Sequence, residues 1–209
     1  MINFLRKDYS FYGFFKSNFA KIFLLCFFII VTAGSFSWKI YNKNRLDKSL
    51  EYFEVLNKNL NSDSVDLNKI KYIMNILRNG YSNTSYAYFG SLLTARALYD
   101  GGDLQGSLNE LKWVNDNSNS ILIKSIASLR ISCLLLDQEK YQESIAYLDI
   151  PCDSFFSLVA DKKGDIFFAQ SHIKEAIYWW TKAMEAIEEN DPLLPVIQSK
   201  IDSVSFYNP

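Results

Sequence analysis

Few residues of this chain have the type and spacing to do chemistry. The single histidine, His172, falls in a turn. No serine or cysteine nucleophile and no acid partner can be placed beside it, as general-base catalysis would need. Cys26 stands in an apolar run, and Cys133 and Cys152 are too far apart for metal-ligand spacing. Buried thiols are one reading of that pair. A disulfide in an oxidising compartment is the other. Asp161 and Asp165 stand four apart, on one face of a helix. Such a pair can bind a metal or move protons, although on a solvated helix it is usually surface. Gly101-Gly102-Asp103 reads as a tight turn between helices and not as a phosphate loop. The expectation is no enzyme, no cofactor and no metal. Function would then rest on a surface.

The elements that carry these residues are helical. Leu46–Leu60 and Leu67–Asn79 read as the first two soluble helices, with Asn79-Gly80 closing the second. Three later segments then align. A small residue recurs at Ala95, Ser132 and Gly164, with shifts of 37 and 32 residues. A large apolar residue follows at Leu98, Leu135 and Phe167. After a turn, Leu104, Tyr141 and Ile173 open a second helix, with Ser107, Ser144 and Ala176 three residues on, and Leu111, Leu148 and Trp180 four further. Two helices that cross closely need small residues at the crossing. A hairpin cannot bury its apolar face alone, so neighbours stack. A period near 34 residues in this order is that of a helix–turn–helix repeat. An irregular helical bundle is the alternative. Pro192 to Val204 reads as a terminal helix with its prolines in the first turn.

Ahead of these helices runs Ile22 to Trp38, seventeen residues without a charge, closed by Lys21 and Lys39. As a helix it spans about 25 Å, a little short of a hydrocarbon core of about 30 Å. Snorkelling lysines and the flanking Phe19, Ala20, Ile40 and Tyr41 extend it. Trp38 and Tyr41 suit the interface. A cleaved signal peptide ending at Ala33-Gly34-Ser35 is the competing reading, but the run is long for one and continues unbroken into Trp38-Lys39-Ile40-Tyr41. The fold class is therefore all-α: one N-terminal transmembrane helix, then a tetratricopeptide-like (TPR-like) α-solenoid of helix hairpins. The domains are residues 1–21, a tail; 22–41, the membrane helix; and 42–209, the helical domain.

Charge divides along the same line. Residues 1–45 hold seven Lys/Arg and one acid, and residues 46–209 hold fifteen Lys/Arg and twenty-two acids. The basic part suits membrane lipid. The acidic part lacks the positive footprint that nucleic acid requires. Lysines and arginines flank the run on both sides, so charge does not set its orientation.

Several stretches add a resemblance. Trp38-Lys39-Ile40-Tyr41 is an aromatic-basic exit from the anchor. Tyr86 to Leu92 leads the first pair, and Gly102-Asp103-Leu104 forms its turn. Ser128-Leu129-Arg130-Ile131 stands where an arginine-containing helix is expected. Leu158-Val159-Ala160-Asp161-Lys162-Lys163-Gly164-Asp165 is similar to a V-A-D-x-x-G-[DE] segment, with Trp180 at the right distance. On these residues the chain resembles the YfgM-like ancillary subunits of the bacterial SecYEG translocon. It departs at Ser171-His172, where Gly-Asp is usual, at the glycine-free turn Gln138-Glu139-Lys140, and in being poorer in alanine.

The resemblance implies a bacterial inner-membrane protein, single-pass, with its N-terminus cytoplasmic and its solenoid periplasmic. It implies the SecYEG translocon, a PpiD-type membrane-anchored periplasmic chaperone and unfolded client proteins as partners, and a holdase or adaptor role without turnover. The alternative is a TPR scaffold for another envelope assembly, such as outer-membrane insertion or cell division. In a TPR solenoid the first helix of each pair lines the concave side. Counting from the crossing residues puts Phe89, Leu92, Arg96 and Tyr99 there, then Leu129, Cys133 and Leu136, then Asp161, Asp165 and Phe168. Burial of several of these by the terminal helix or a neighbouring pair is the competing expectation.

Overall fold

A computed structural model describes residues 2–62, 65–150 and 153–205. Among these residues every regular element is helical and no strand occurs. The chain divides into two compact units, Met1–Lys48 and Ser49–Pro209.

The first unit lies on helix α1, Ile2–Leu60. Leu46 does not begin a separate helix, because nothing between Trp38 and Leu60 breaks one: that stretch holds no glycine or proline. The side chains of the apolar run from Phe23 on are exposed. Among the described residues, one helix is long and apolar enough to cross a membrane, within Phe23–Leu60. Thr32 and Ser35 return their hydroxyls to Phe28, Ile29 and Thr32 carbonyls, so each polar side chain is satisfied within its own helix.

The second unit begins where α1 acquires a buried face, at Ser49 and Leu56. Helices α2 (Leu67–Tyr81), α3 (Ser85–Asp100), α4 (Leu104–Asn117), α5 (Ile121–Asp137), α6 (Tyr141–Ala146), α7 (Phe156–Ala169), α8 (Ile173–Glu185) and α9 (Leu193–Ser205) follow. Their starts carry side-chain caps that the sequence provides. Asp66 accepts from Asn68 and Lys69 amides, Asp103 from Gly106 and Ser120 from Ile123. Helix α2 runs one residue past Gly80 instead of ending before it; the 3₁₀-like bond from the Thr84 amide to the Tyr81 carbonyl closes that turn.

Among the described residues the core forms four clusters, each shared by consecutive helices. Leu56, Ile73 and Leu77 meet Ala87 under α1, α2 and α3. Leu92, Leu111, Ile131 and Leu135 join α3, α4 and α5. Leu148, Val159 and Ile166, with Leu129 and Leu136 against them, join α5 to α7. Ala160, Trp180, Ala183 and Ile197 join α7, α8 and α9. Each hairpin thus completes its core with the next, as stacked repeats do.

The three hairpin turns have one geometry. Gly102, Glu139 and Ser171 each take a left-handed φ, of 84°, 57° and 62°. Each lies seven residues after its crossing residue Ala95, Ser132 or Gly164. In each turn the next amide, of Asp103, Lys140 or His172, donates to the carbonyl of Leu98, Leu135 or Phe167 at 2.8–2.9 Å. That is the long bond of a Schellman cap. The repeat read from side-chain type is therefore also a repeat of backbone conformation.

The crossings differ in detail. In the second pair Ser132 and Ser144 meet with Oγ atoms 2.8 Å apart, and the Ser144 hydroxyl donates to the Ser132 carbonyl at 2.7 Å. In the third pair the nearest atoms to the open side of Gly164 belong to the Trp180 indole and not to Ala176, one turn earlier on α8. Helix α6 is also shorter than its counterparts, so Leu148, although buried, lies past its end. Ile150 precedes Pro151 in the sequence, and the residue before a proline avoids the helical region, which keeps α6 from running on through Ile150.

Candidate functional site

Helices α3 and α5, the first helices of adjacent pairs, leave a cleft of about 250 Å3 between them. Its floor is mostly apolar, from Ala95, Leu111 and Leu134, with the buried Ser107 among them. Its rim carries Arg96, Tyr99 and Asp100 from α3 and Arg130, Cys133 and Asp137 from α5. Three residues expected on the concave face, Arg96, Tyr99 and Cys133, are brought together here. The spacing along each helix explains why: 96, 99 and 100 share a face of α3, and 130, 133 and 137 share a face of α5.

Polar contacts order the rim. Arg96 Nε donates to both carboxylate oxygens of Asp100, at 2.8 and 3.0 Å. The Tyr99 hydroxyl donates to Asp137 Oδ2 at 3.4 Å, which ties the two helices across the cleft. Arg130 Nη1 donates to the Leu92 carbonyl at 3.3 Å. Among the described residues it meets no carboxylate. Burial, and then the charge of Arg96, hold its guanidinium below the ordinary arginine range. Burial pushes the Cys133 thiol up, with Lys162 pulling the other way. Cys133 is a free thiol, and Cys152 lies outside the described residues.

The other expected residues fall elsewhere. Phe89 is exposed on α3. Leu92 is core, 6% exposed. Leu129 and Leu136 are half-buried against the cluster joining α5 to α7. Phe168 is exposed, with its ring 5.6 Å from that of Trp180.

Asp161 and Asp165 belong to a network closed by the terminal helix. Lys200 Nζ, from α9, donates to Asp161 Oδ1 at 2.6 Å and Asp165 Oδ1 at 2.7 Å. Lys162 Nζ reaches Asp165 Oδ2 at 2.8 Å, and Trp180 Nε1 reaches its Oδ1 at 3.1 Å. Burial pushes the Asp161 carboxyl above the ordinary aspartate range despite Lys200. Burial acts the same way on Asp165, but Lys162 and Lys200 outweigh it and hold that carboxyl below the range. The pair is thus neutralised by lysines from two helices.

His172 is exposed and stacks on Phe167 at 6.2 Å. Among the described residues no group of three His, Cys, Asp or Glu side chains could hold a metal. Sequence counting missed Arg130, Asp100 and Asp137. Carrying the stripe one step along α3 and α5 would have reached all three.

One membrane-length apolar helix, followed by stacked hairpins with a shared turn, defines an anchored helical-repeat protein. The chain belongs to the tetratricopeptide repeat-like domain family, whose model matches residues 13–205. Its sequence is similar to the ancillary SecYEG translocon subunit of Neisseria gonorrhoeae, at 26% identity over 87% of this chain and 88% of that protein. It is similar at 26% to the ancillary SecYEG translocon subunit of Buchnera aphidicola from Schizaphis graminum, over 88% of this chain and 93% of that one. The corresponding Buchnera protein from Acyrthosiphon pisum is 24% identical over 90% and 95%. The YfgM-like resemblance read from the motifs thus extends along nearly the whole chain.

Proposed function

We propose that this chain is an ancillary subunit of the Sec translocon in a bacterial inner membrane. Residues 1–21 form a cytoplasmic tail, 22–41 cross the membrane, and 42–209 form the periplasmic domain. The domain holds emerging chains and passes them to a PpiD-type membrane-anchored chaperone, without turnover. The observation that carries this reading is the match to proteins named as ancillary SecYEG translocon subunits over 87–90% of the chain, beside a family model whose residues 13–205 take in the apolar helix.

The cleft between α3 and α5 is the binding surface in this reading. Tyr99 is an exposed aromatic on its rim, and exposed apolar surface beside a cleft serves recognition. A photo-crosslinking amino acid at Tyr99, introduced in living cells, tests it. Adducts with exported chains or with the membrane-anchored chaperone are expected. Adducts confined to outer-membrane insertion or division proteins would favour a scaffold for another envelope assembly instead.

A further inference from the structure

The two arginines of the cleft are in different states. Arg96 is neutralised by Asp100 at 2.8 Å, one turn away on its own helix. Arg130 has one backbone acceptor, the Leu92 carbonyl, and no carboxylate among the described residues. The cleft's remaining carboxylate, Asp137, lies two turns further along α5 and accepts from Tyr99 instead. Arg130 therefore presents unused donors beside an apolar floor.

The volume limits what can enter. A space of about 250 Å3 is below that of ordinary small-molecule pockets. It takes one apolar side chain of an extended segment on its floor with a second side chain at the rim, and a folded helix is too wide for it. A guanidinium has five donors in a planar fork that matches a carboxylate. Arg130 is exposed, so water already solvates its charge, and a carboxylate brought in by an occupant adds the modest gain of a partly exposed ion pair.

Resting on the reading of the cleft as the surface for exported chains, we propose that it selects extended segments that carry an acidic side chain two residues from an apolar one, so that both share a face, the apolar group on the Ala95–Leu134 floor and the acid against Arg130. The recognised acid is internal to the segment. The chemistry is local: the domain is acidic overall, so long-range attraction does not bring such a segment in.

The full chain, purified in detergent, is titrated with short leucine-rich peptides. They are amidated at the C-terminus, carry a neutral dye, and differ only in a central glutamate, glutamine or lysine. The glutamate peptide should bind about three- to fivefold tighter than the glutamine one, the range of a partly exposed ion pair, with the advantage shrinking as salt rises. Arg130→Gln should abolish the preference, and Arg130→Lys should keep part of it. A fourth peptide with glutamine at its centre and a free C-terminal carboxylate should bind no better than its amidated form.

Equal binding of the glutamate and glutamine peptides by the unaltered chain would overturn the inference, as would tightest binding of the lysine peptide, preference for the free terminus, or no binding of any. Because the unaltered chain decides, a variant that fails to fold leaves the test intact. A chain that co-purifies with translocon subunits yet binds the peptides alike loses this inference and keeps the proposed function. A chain that prefers glutamate without the translocon does the reverse.

Discussion

The indole of Trp180 occupies the space that a side chain on Gly164 would need. The ring is 2% exposed, and its Nε1 is bonded to Asp165, so it cannot swing aside without losing that bond. Glycine is unfavourable inside a helix by about 1 kcal/mol relative to alanine. Its presence at 164 therefore reflects the close approach of α8.

Gly164→Ala should consequently destabilise the chain in spite of alanine's better helix propensity. Overpacking of this kind costs about 1–3 kcal/mol. In a domain of this size that lowers the melting temperature by about 2–4 °C per kcal/mol. Circular dichroism melts of the purified chain would show it. A raised melting temperature would mean that the indole is not against Gly164.

The shared turn predicts gains elsewhere. A left-handed conformation costs a side-chain-bearing residue about 1–2 kcal/mol, against about 0.5–1 kcal/mol of entropy lost with glycine. Glu139→Gly and Ser171→Gly should each stabilise by up to about 1 kcal/mol, and Gly102→Ala should destabilise by a similar amount. Chemical denaturation of the three variants checks the set. Loss of stability in both glycine variants would contradict the common geometry.

Lys200 holds two carboxylates that would otherwise face each other. Lys200→Met should cost about 1–3 kcal/mol near neutral pH, the range for losing bonds to charged groups. The pH dependence follows from the two shifts. Asp165 has a lowered folded pKa, so its stabilisation is complete above the unfolded value of 3.8 and is lost as pH falls through the lower folded value. Asp161 has a raised folded pKa, so its charge opposes folding at neutral pH, and protonation relieves this as pH falls through the raised value toward 3.8. In Lys200→Met the opposition grows, so its deficit should be largest near pH 7 and shrink on acidification. Urea titrations at several pH values measure this, and a deficit independent of pH would show that the network carries no charge coupling.

Two of the residues expected on the concave face separate binding from packing. Tyr99→Ala removes an exposed ring and one long hydrogen bond, so the melting temperature should barely move while crosslinking from the cleft falls. Leu129→Ala removes half-buried packing between α5 and α7 and should cost about 2 kcal/mol, the lower end of the range for leucine truncations. A Tyr99→Ala loss as large as that of Leu129→Ala would make the cleft part of the core.

The mature protein should keep residues 22–41. Terminal sequencing of membrane-extracted protein should find no start near Phe36; such a start would mean that the apolar run is a cleaved signal. Protease added to spheroplasts should degrade residues 46–209, and protection there would reverse the proposed orientation.

Much of this fold is legible from residue types. Small residues at 95, 132 and 164 set the hairpin register because helix crossings exclude large ones, and the turns follow from that register. The left-handed residues at 139 and 171 were not visible directly, since Glu and Ser carry no glycine-like signal. Only their fixed distance from the crossing residues gives them away. The ion pair of Arg78 with Glu110, stacked on Trp113 at 4.8 Å, joins residues 32 apart in sequence, and no periodicity links them. Lys200 stands three residues after Ile197 and so lies on the inward side of α9, but its partners are not visible in the sequence. Its real position depends on how α9 lies on α7, which is a property of packing. Of the lining of the cleft, helical counting names Arg96, Tyr99 and Cys133. It passes over Arg130, which follows Leu129 directly, because an arginine on a helix gives no sign in sequence of which carboxylates it will meet.

Association with the Sec translocon is the part of the proposed function on which the rest depends. It is tested most directly by purifying a tagged full chain from its native membranes in mild detergent and quantifying the co-purifying proteins by mass spectrometry. SecY, SecE and SecG, with a membrane-anchored periplasmic chaperone, should be enriched over an untagged control. Enrichment of outer-membrane insertion or division proteins, with translocon subunits at background, would contradict it.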